Sequence, residues 1–355
     1  MMDRKKRELK GLTLTIITPK VSGINYGETI GNTVMHKKVT TGSGVQLTYA
    51  SDKALKYEIR HQGWERFGWR LLDEKLQEFI KGNLKEEKKG RNKKTVLDVD
   101  NFAKQLIENY EEFDLFGGLF TNVKNPESGK KVELSNDYDS VKRTAPVNVN
   151  YAFSIEPYKG DLDFMNNIDA YNRYIKYLEE KEDQVIVNTE TPYAHYRYTG
   201  SVDLDRIGVW EPIEGEPEEI VGAEVAAKRV NELLEVVKNL SRRIKGRRES
   251  LAPIFVIGGV FSVKNPFFAD AINAVELENG KLLLEVEPIL EAIELIPEGE
   301  RKNIVCGIQK SHFANADMIE EKLKEAGIEI RSVGAAFEVL KKQVNDYYGV
   351  GDGGS

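Results

Sequence analysis

Lys53, Lys56 and Arg60 fall at i, i+3 and i+7 of the stretch YASDKALKYEIRHQG, so in a helix all three project from one face. Ser51 stands where an N-cap belongs, and Ala54, Leu55 and Ile59 supply the apolar side. Cations beside the unpaired amides of a helix start can hold an anion such as a phosphate, and the same pattern also fits a solvated face. Upstream, SGINYGETIGN (22–32) follows a strand-like run and holds Gly23, Gly27 and Gly31 among polar residues. It reads either as a flexible loop or as one whose amides approach a ligand closely, which glycine permits. Lys37 and Lys38 follow soon after.

Other chemistries find little material. Cys306 is the single cysteine and the four histidines (His36, His61, His195, His312) are scattered, so neither a disulfide framework nor a common zinc site can be assembled. No GxGxxG between a strand and a following helix and no phosphate-loop lysine motif occurs, which argues against ATP or dinucleotide chemistry. No apolar run reaches the roughly 20 residues of a membrane span, and MMDRKKRELK lacks the apolar segment of a secretory signal. A cytoplasmic protein without a membrane partner is expected. The net charge of −7 hides basic segments at 81–94 and 241–248 and acidic ones at 211–224 and 276–300. A local basic face can bind phosphate on such a chain.

The elements that must position these residues are legible in part. GLTLTIIT alternates as a strand with one face on a core. Residues 62–139 read as a mainly helical, polar insertion, and DLFGGLF (114–120), with its paired glycines, marks close backbone packing where that insertion rejoins the core. KRTAPVNVNYAFSIEP (142–157), YAHYRYTGSVDLDRIG (193–208), APIFVIGGVFS (252–262), NIVCGI and IEIRSVG read as strands. A long amphipathic helix is expected over 223–245, with Ile244 inward and Gly246 as its stop, and GVGDGGS as a disordered tail. The order is that of an α+β sheet with helices on one face.

Four segments in register, SGINYGETIGN after the first strand, YASDKALKYEIRHQG, DLFGGLF with KRTAPVNVNYAFSIEP, and YAHYRYTGSVDLDRIG, resemble the DevR-like backbone subunits of type I CRISPR interference complexes (Cascade). The resemblance implies a modified RRM-like (ferredoxin-like) palm over residues 1–348, with a finger-like insertion at 62–139 and a thumb-like hairpin arm within 156–197. It implies a non-enzymatic scaffold, without metal or cofactor, that holds CRISPR guide RNA by its phosphates. The bases are left to pair with a target DNA strand, and copies assemble into a helical filament with other Cascade subunits. Carried onto this chain, the RNA-binding residues are Asn25, Tyr26, Gly27, Lys37, Lys38, Ser51, Lys53, Lys56, Arg60, Lys142 and Arg143. The base-kinking wedge of the thumb falls to Phe164, Met165 and Tyr193. Two rival readings are a ribonuclease like the equivalent subunit of type III complexes, using Glu28, Asp161 or Asp163, and a general single-strand-binding protein outside CRISPR systems. The basic SRRIKGRR reads as an exposed helix end or as a contact with RNA or a neighbouring subunit.

Overall fold

The strand expected from GLTLTII forms at Gly11–Ile17, and it is buried along its whole length. It is the middle of a nine-stranded sheet, the largest element of a computed structural model that describes residues 7–89, 92–136, 138–166, 173–174 and 186–351. Its neighbours are Tyr196–Asp203 and Phe255–Phe261, both antiparallel to it. Val147–Val149 and Ala152–Ser154 pair in turn with Tyr196–Asp203. These elements make four core strands in chain order, and across the sheet they lie fourth, first, third, second. Helix Asp52–Phe67 follows the first and helix Ala223–Lys238 follows the third. Val305–Ile308 and Ile330–Arg331 extend the sheet beyond the fourth strand, while Gln46–Ala50 and Lys38–Thr40 extend it beyond the second.

Helices cover both faces of this sheet, not one. Leu12, Leu14 and Ile16 pack with Leu55, Ile59, Val230, Leu233 and Phe337 from helices on one side. Ile17, Phe255, Ile257 and Phe261 on the other side meet Phe268, with Ile289 and Ile293 of helix Glu287–Glu294 in the acidic stretch and Ile319 of helix Ala316–Glu325. Where a threonine must be buried on this second side it finds a partner, as Thr15 does in the Thr199 hydroxyl at 3.0 Å.

Two local expectations are corrected. The amphipathic helix ends at Lys238, and 241–250 is a hairpin of Ser241–Ile244 and Arg247–Ser250. Lys245 and Gly246 at its tip both have positive φ (45° and 77°), the geometry of a two-residue type I′ turn. Of IEIRSVG only Ile330–Arg331 is strand, and its last two residues already belong to helix Val333–Tyr348, capped by the Ser332 hydroxyl and buried along Ala336, Phe337, Leu340 and Val344. Gly349 and Val350, expected in the tail, close this helix by an αL cap. Residues 352–355 lie outside the described chain.

The segment after Phe67 has its own apolar cluster, built from Leu97, Phe102, Leu106, Phe113 and Val141 with Trp210 from the body. It holds helices Leu76–Gly82, Val99–Asn109 and Glu111–Phe116 and a hairpin of Leu84–Lys89 with Asn92–Leu97, so the basic 81–94 stretch is largely strand. DLFGGLF does mark the close approach. A Cβ on Gly117 would stand 2.3 Å from the Arg143 carbonyl.

Beside it lies a fully buried charge node. Asp114 accepts from Arg143 Nη2 at 2.6 Å, from Arg229 Nη1 at 2.7 Å and from the Gly208 amide at 2.8 Å. Arg143 also donates to the Asp114, Val209 and Arg206 carbonyls, and Arg229 to those of Ile107 and Glu108. Removing one member of such a cluster strands a buried charge, which costs about 3–5 kcal/mol. Asp114→Ala is therefore expected to lower urea-unfolding stability by that amount; a loss under about 1 kcal/mol would contradict the role assigned to the node.

Candidate nucleic-acid interface

The SGINYGETIGN segment is not a free loop. Val21–Ser22 pairs with Tyr193–Ala194, and Tyr26–Ile30 folds back on Thr33–His36 through a turn that holds Gly31 at φ 61°. Thr33–His36 then pairs with Ile186–Glu190, which pairs with Leu162–Asn166, so this segment and the expected arm share one four-stranded sheet. Residues 167–172 and 175–185 of the arm lie outside the described chain.

The sheet is joined to the helix start through Asn25. Its amide N–H donates to His36 Nε2 at 3.0 Å, its carbonyl accepts from the Lys37 amide at 3.0 Å, and its side chain reaches Ser51 Oγ at 3.4 Å. Ser51 caps Asp52–Phe67 as its sequence position implies, accepting from the Ala54 amide at 3.4 Å. Asn25 is thus buried in holding the loop, and its side-chain amide is turned inward instead of toward a ligand. Gly27 faces Lys37, where a Cβ would come within 3.2 Å of that side chain. Tyr26 lies under Lys245 Nζ, 4.8 Å from its ring centre, and its hydroxyl takes Arg247 Nη2 at 3.1 Å. The hairpin 241–250 therefore belongs to this surface, although the sequence left it open between an exposed helix end and a contact with RNA or a neighbouring subunit.

The expected cations divide into groups. Lys53 and Lys142 are exposed, Lys37 is half-buried, and no carboxylate pairs with these three among the described residues. Lys56 lies 3.9 Å from Asp52 and Arg60 3.2 Å from Glu112, both half-buried. Burial lowers the Lys56 pKa; Asp52 opposes that shift and Arg60 adds to it. Lys38 is bound to Glu190 and lies 4.5 Å over the Tyr158 ring. Arg143 is corrected outright: it is a core residue of the Asp114 node, and a guanidinium forked there cannot reach a phosphate. Of the wedge candidates, Phe164 is 60% exposed and Tyr193 64% exposed, the latter under Lys20 Nζ at 5.1 Å. Met165 is on the Leu162–Asn166 strand, and its side chain lies outside what is described. The structure brings Asn25, Tyr26, Gly27, Lys37, Ser51 and Lys53 together around one loop and helix start, while Phe164 stands out on the attached arm.

Residues 14–279 match the family described as CRISPR-associated negative auto-regulator DevR/Csa2, and the chain belongs to that family. Among solved structures, a chain of a "CRISPR RNA-guided surveillance complex, pre-nicking" superposes with TM-score 0.50 at 13% identity, covering 89% of this chain and 100% of that one. A chain of a "CRISPR RNA-guided surveillance complex" gives 0.48 at 15% identity, covering 89% and 99%. The first likeness is one of fold. No curated protein matches the chain.

His36 is the pivot of the loop. Burial pushes its pKa from 6.5 down to about 4, against the opposing pull of the Lys37 carbonyl and Glu190. The neutral ring donates through Nδ1 to the Lys37 carbonyl and accepts from Asn25 through Nε2. Because the folded pKa lies below the unfolded one, the stability this ring supplies is intact above about pH 6.5 and is lost as the pH falls toward 4. The wild type is expected to lose up to about 3 kcal/mol through this group across that window. His36→Asn, unfolded in urea at pH values on either side of it, should show a flatter dependence; equal slopes would contradict the assignment.

Proposed function

We propose that the protein is a non-catalytic scaffold subunit of a type I CRISPR interference complex in antiviral defence, binding guide RNA through its phosphates. The observation that carries this reading is the joining of the glycine-bearing segment to a capped helix start, through Asn25 and Ser51, beside Lys37 and Lys53. Family membership and the surveillance-complex fold give it its setting. The fourth, first, third, second strand order with helices after the first and third strands supports an RRM-like palm. The two-stranded extension Leu162–Asn166 with Ile186–Glu190 fits the thumb, and exposed Phe164 and Tyr193 fit a wedge between stacked nucleotides.

In this reading Lys37, Lys53, Lys56, Arg60 and Lys142 meet phosphates. The two with carboxylate neighbours, Lys56 and Arg60, exchange them for RNA, since half-exposed ion pairs contribute little by themselves. The bases stay free to pair with a target strand, and copies repeat along the guide with the other subunits. Soluble cytoplasmic action suits it, and no helix among the described residues is long and apolar enough to cross a membrane.

Replacing Lys53, Lys56 and Arg60 together by alanine should weaken guide binding. It should also reduce the slope of log K against log salt by about 2, at roughly 0.7 per phosphate contact on a single strand. An unchanged slope in a filter-binding titration would remove these residues from the interface.

A further inference from the structure

Arg243 and Arg248 face each other directly across the 241–250 hairpin, and both are exposed. Like charges so placed repel, and a hairpin keeps them at a cost. Their neighbours are compensated: Arg242 pairs with Glu58 and Arg247 with Glu249. Among the described residues no carboxylate pairs with Arg243 or Arg248.

A cleft of about 150 Å³ separates this pair from helix Asp52–Phe67, lined by Tyr57, His61, Ser241, Arg243 and Arg248 together with two carboxylates, Glu58 and Glu65, the first of which is already paired with Arg242. Tyr57, His61 and Trp64 run along the helix at i, i+4 and i+7, and Tyr57 and Trp64 are each 54% exposed. The rings meet edge to face, at 6.0 Å (Tyr57–His61) and 5.6 Å (His61–Trp64), and Tyr57 and Trp64 each keep more than half of their surface in solvent. Exposed aromatic rings with exposed arginines alongside match the pattern of single-strand grooves, where bases stack and cations follow the backbone.

We propose that this stripe and arginine pair bind an unpaired single strand of nucleic acid other than the guide. Stacking on Tyr57 and Trp64 occupies the bases, whereas a guide must leave its bases free for pairing. Resting here on the scaffold reading above, the strand in question is the one that a target duplex releases when its complement pairs with the guide. Glu65 lies in the same cleft, 3.7 Å from His61 Nδ1, so the phosphates ride on the arginine rim.

Trp64 is the natural probe, since Trp69 and Trp210 are 1% and 2% exposed. Oligo(dT) and oligo(U) would be titrated into the full-length protein, free and guide-loaded, with tryptophan fluorescence and oligonucleotide anisotropy as readouts and poly-glutamate as the competing acidic polymer. Quenching is expected in both forms. Arg243→Ala with Arg248→Ala should weaken binding about tenfold or more and lower the salt slope by about 1.4. Tyr57→Ala with Trp64→Ala should weaken it about tenfold at an unchanged slope. Preference for oligo(dT) supports the strand released by a target DNA duplex, and preference for oligo(U) would overturn that assignment. Unaltered affinity in both variants, tighter binding of poly-glutamate, or loss of binding on guide loading would overturn the proposal. Failure of the scaffold reading is separate, because it shows in guide retention by the Lys53, Lys56 and Arg60 variant.

Discussion

Asp114 holds the molecule's parts in one frame. Two buried guanidiniums, Arg143 from the short strand Val141–Arg143 just ahead of the second core strand and Arg229 from the helix after the third, converge on one carboxylate of the insertion. The Gly208 amide adds a third partner. An ion cluster of this kind contributes little net stability over an apolar packing, yet it tolerates no missing member. It fixes where the insertion meets the sheet, and Glu112 of the same short helix 111–116 meets Arg60 on the candidate interface. Core geometry and interface charge are therefore set by one segment.

Much of the frame was legible in the sequence. The first strand, the Ser51 cap and the helix it begins follow from alternation and from a hydroxyl placed before a run with Leu55 and Ile59 on one side. Arg143 was not legible as a core residue, because its partner Asp114 and the second guanidinium on that carboxylate, Arg229, are far from it in the chain and only the tertiary fold brings them together. The hairpin at 241–250 was missed for a local reason: Ile244 continues the period of Leu240, so the pattern runs on as a helix. The turn signal was the Lys245–Gly246 pair, since a glycine second in a two-residue turn accepts a positive φ without strain. The final helix was hidden by reading IRSVG as strand past Ser332, which is a cap. The joining of the 22–32 segment to the arm had no sequence signal, since parallel pairing of Thr33–His36 with Ile186–Glu190 links remote residues by backbone alone.

The electrostatics explain how an acidic chain can carry an anion-binding surface. The cations nearest the core are consumed internally: Lys38 by Glu190, Arg242 by Glu58, Arg247 by Glu249. They shape the loop and the hairpin. The outer ones, Lys37, Lys53, Arg243 and Arg248, lack carboxylate partners among the described residues and are left for a ligand. Net charge is then a poor guide to binding, because the field that a phosphate meets is set within about a Debye length of these groups.

The central claim is that the protein holds a CRISPR guide. The most direct measurement is to purify it from cells that transcribe a CRISPR array and to sequence the RNA that comes with it. The scaffold account predicts discrete, repeat-derived guides that stay intact on incubation with magnesium. Random RNA, no RNA, or progressive cleavage of the bound strand would contradict it.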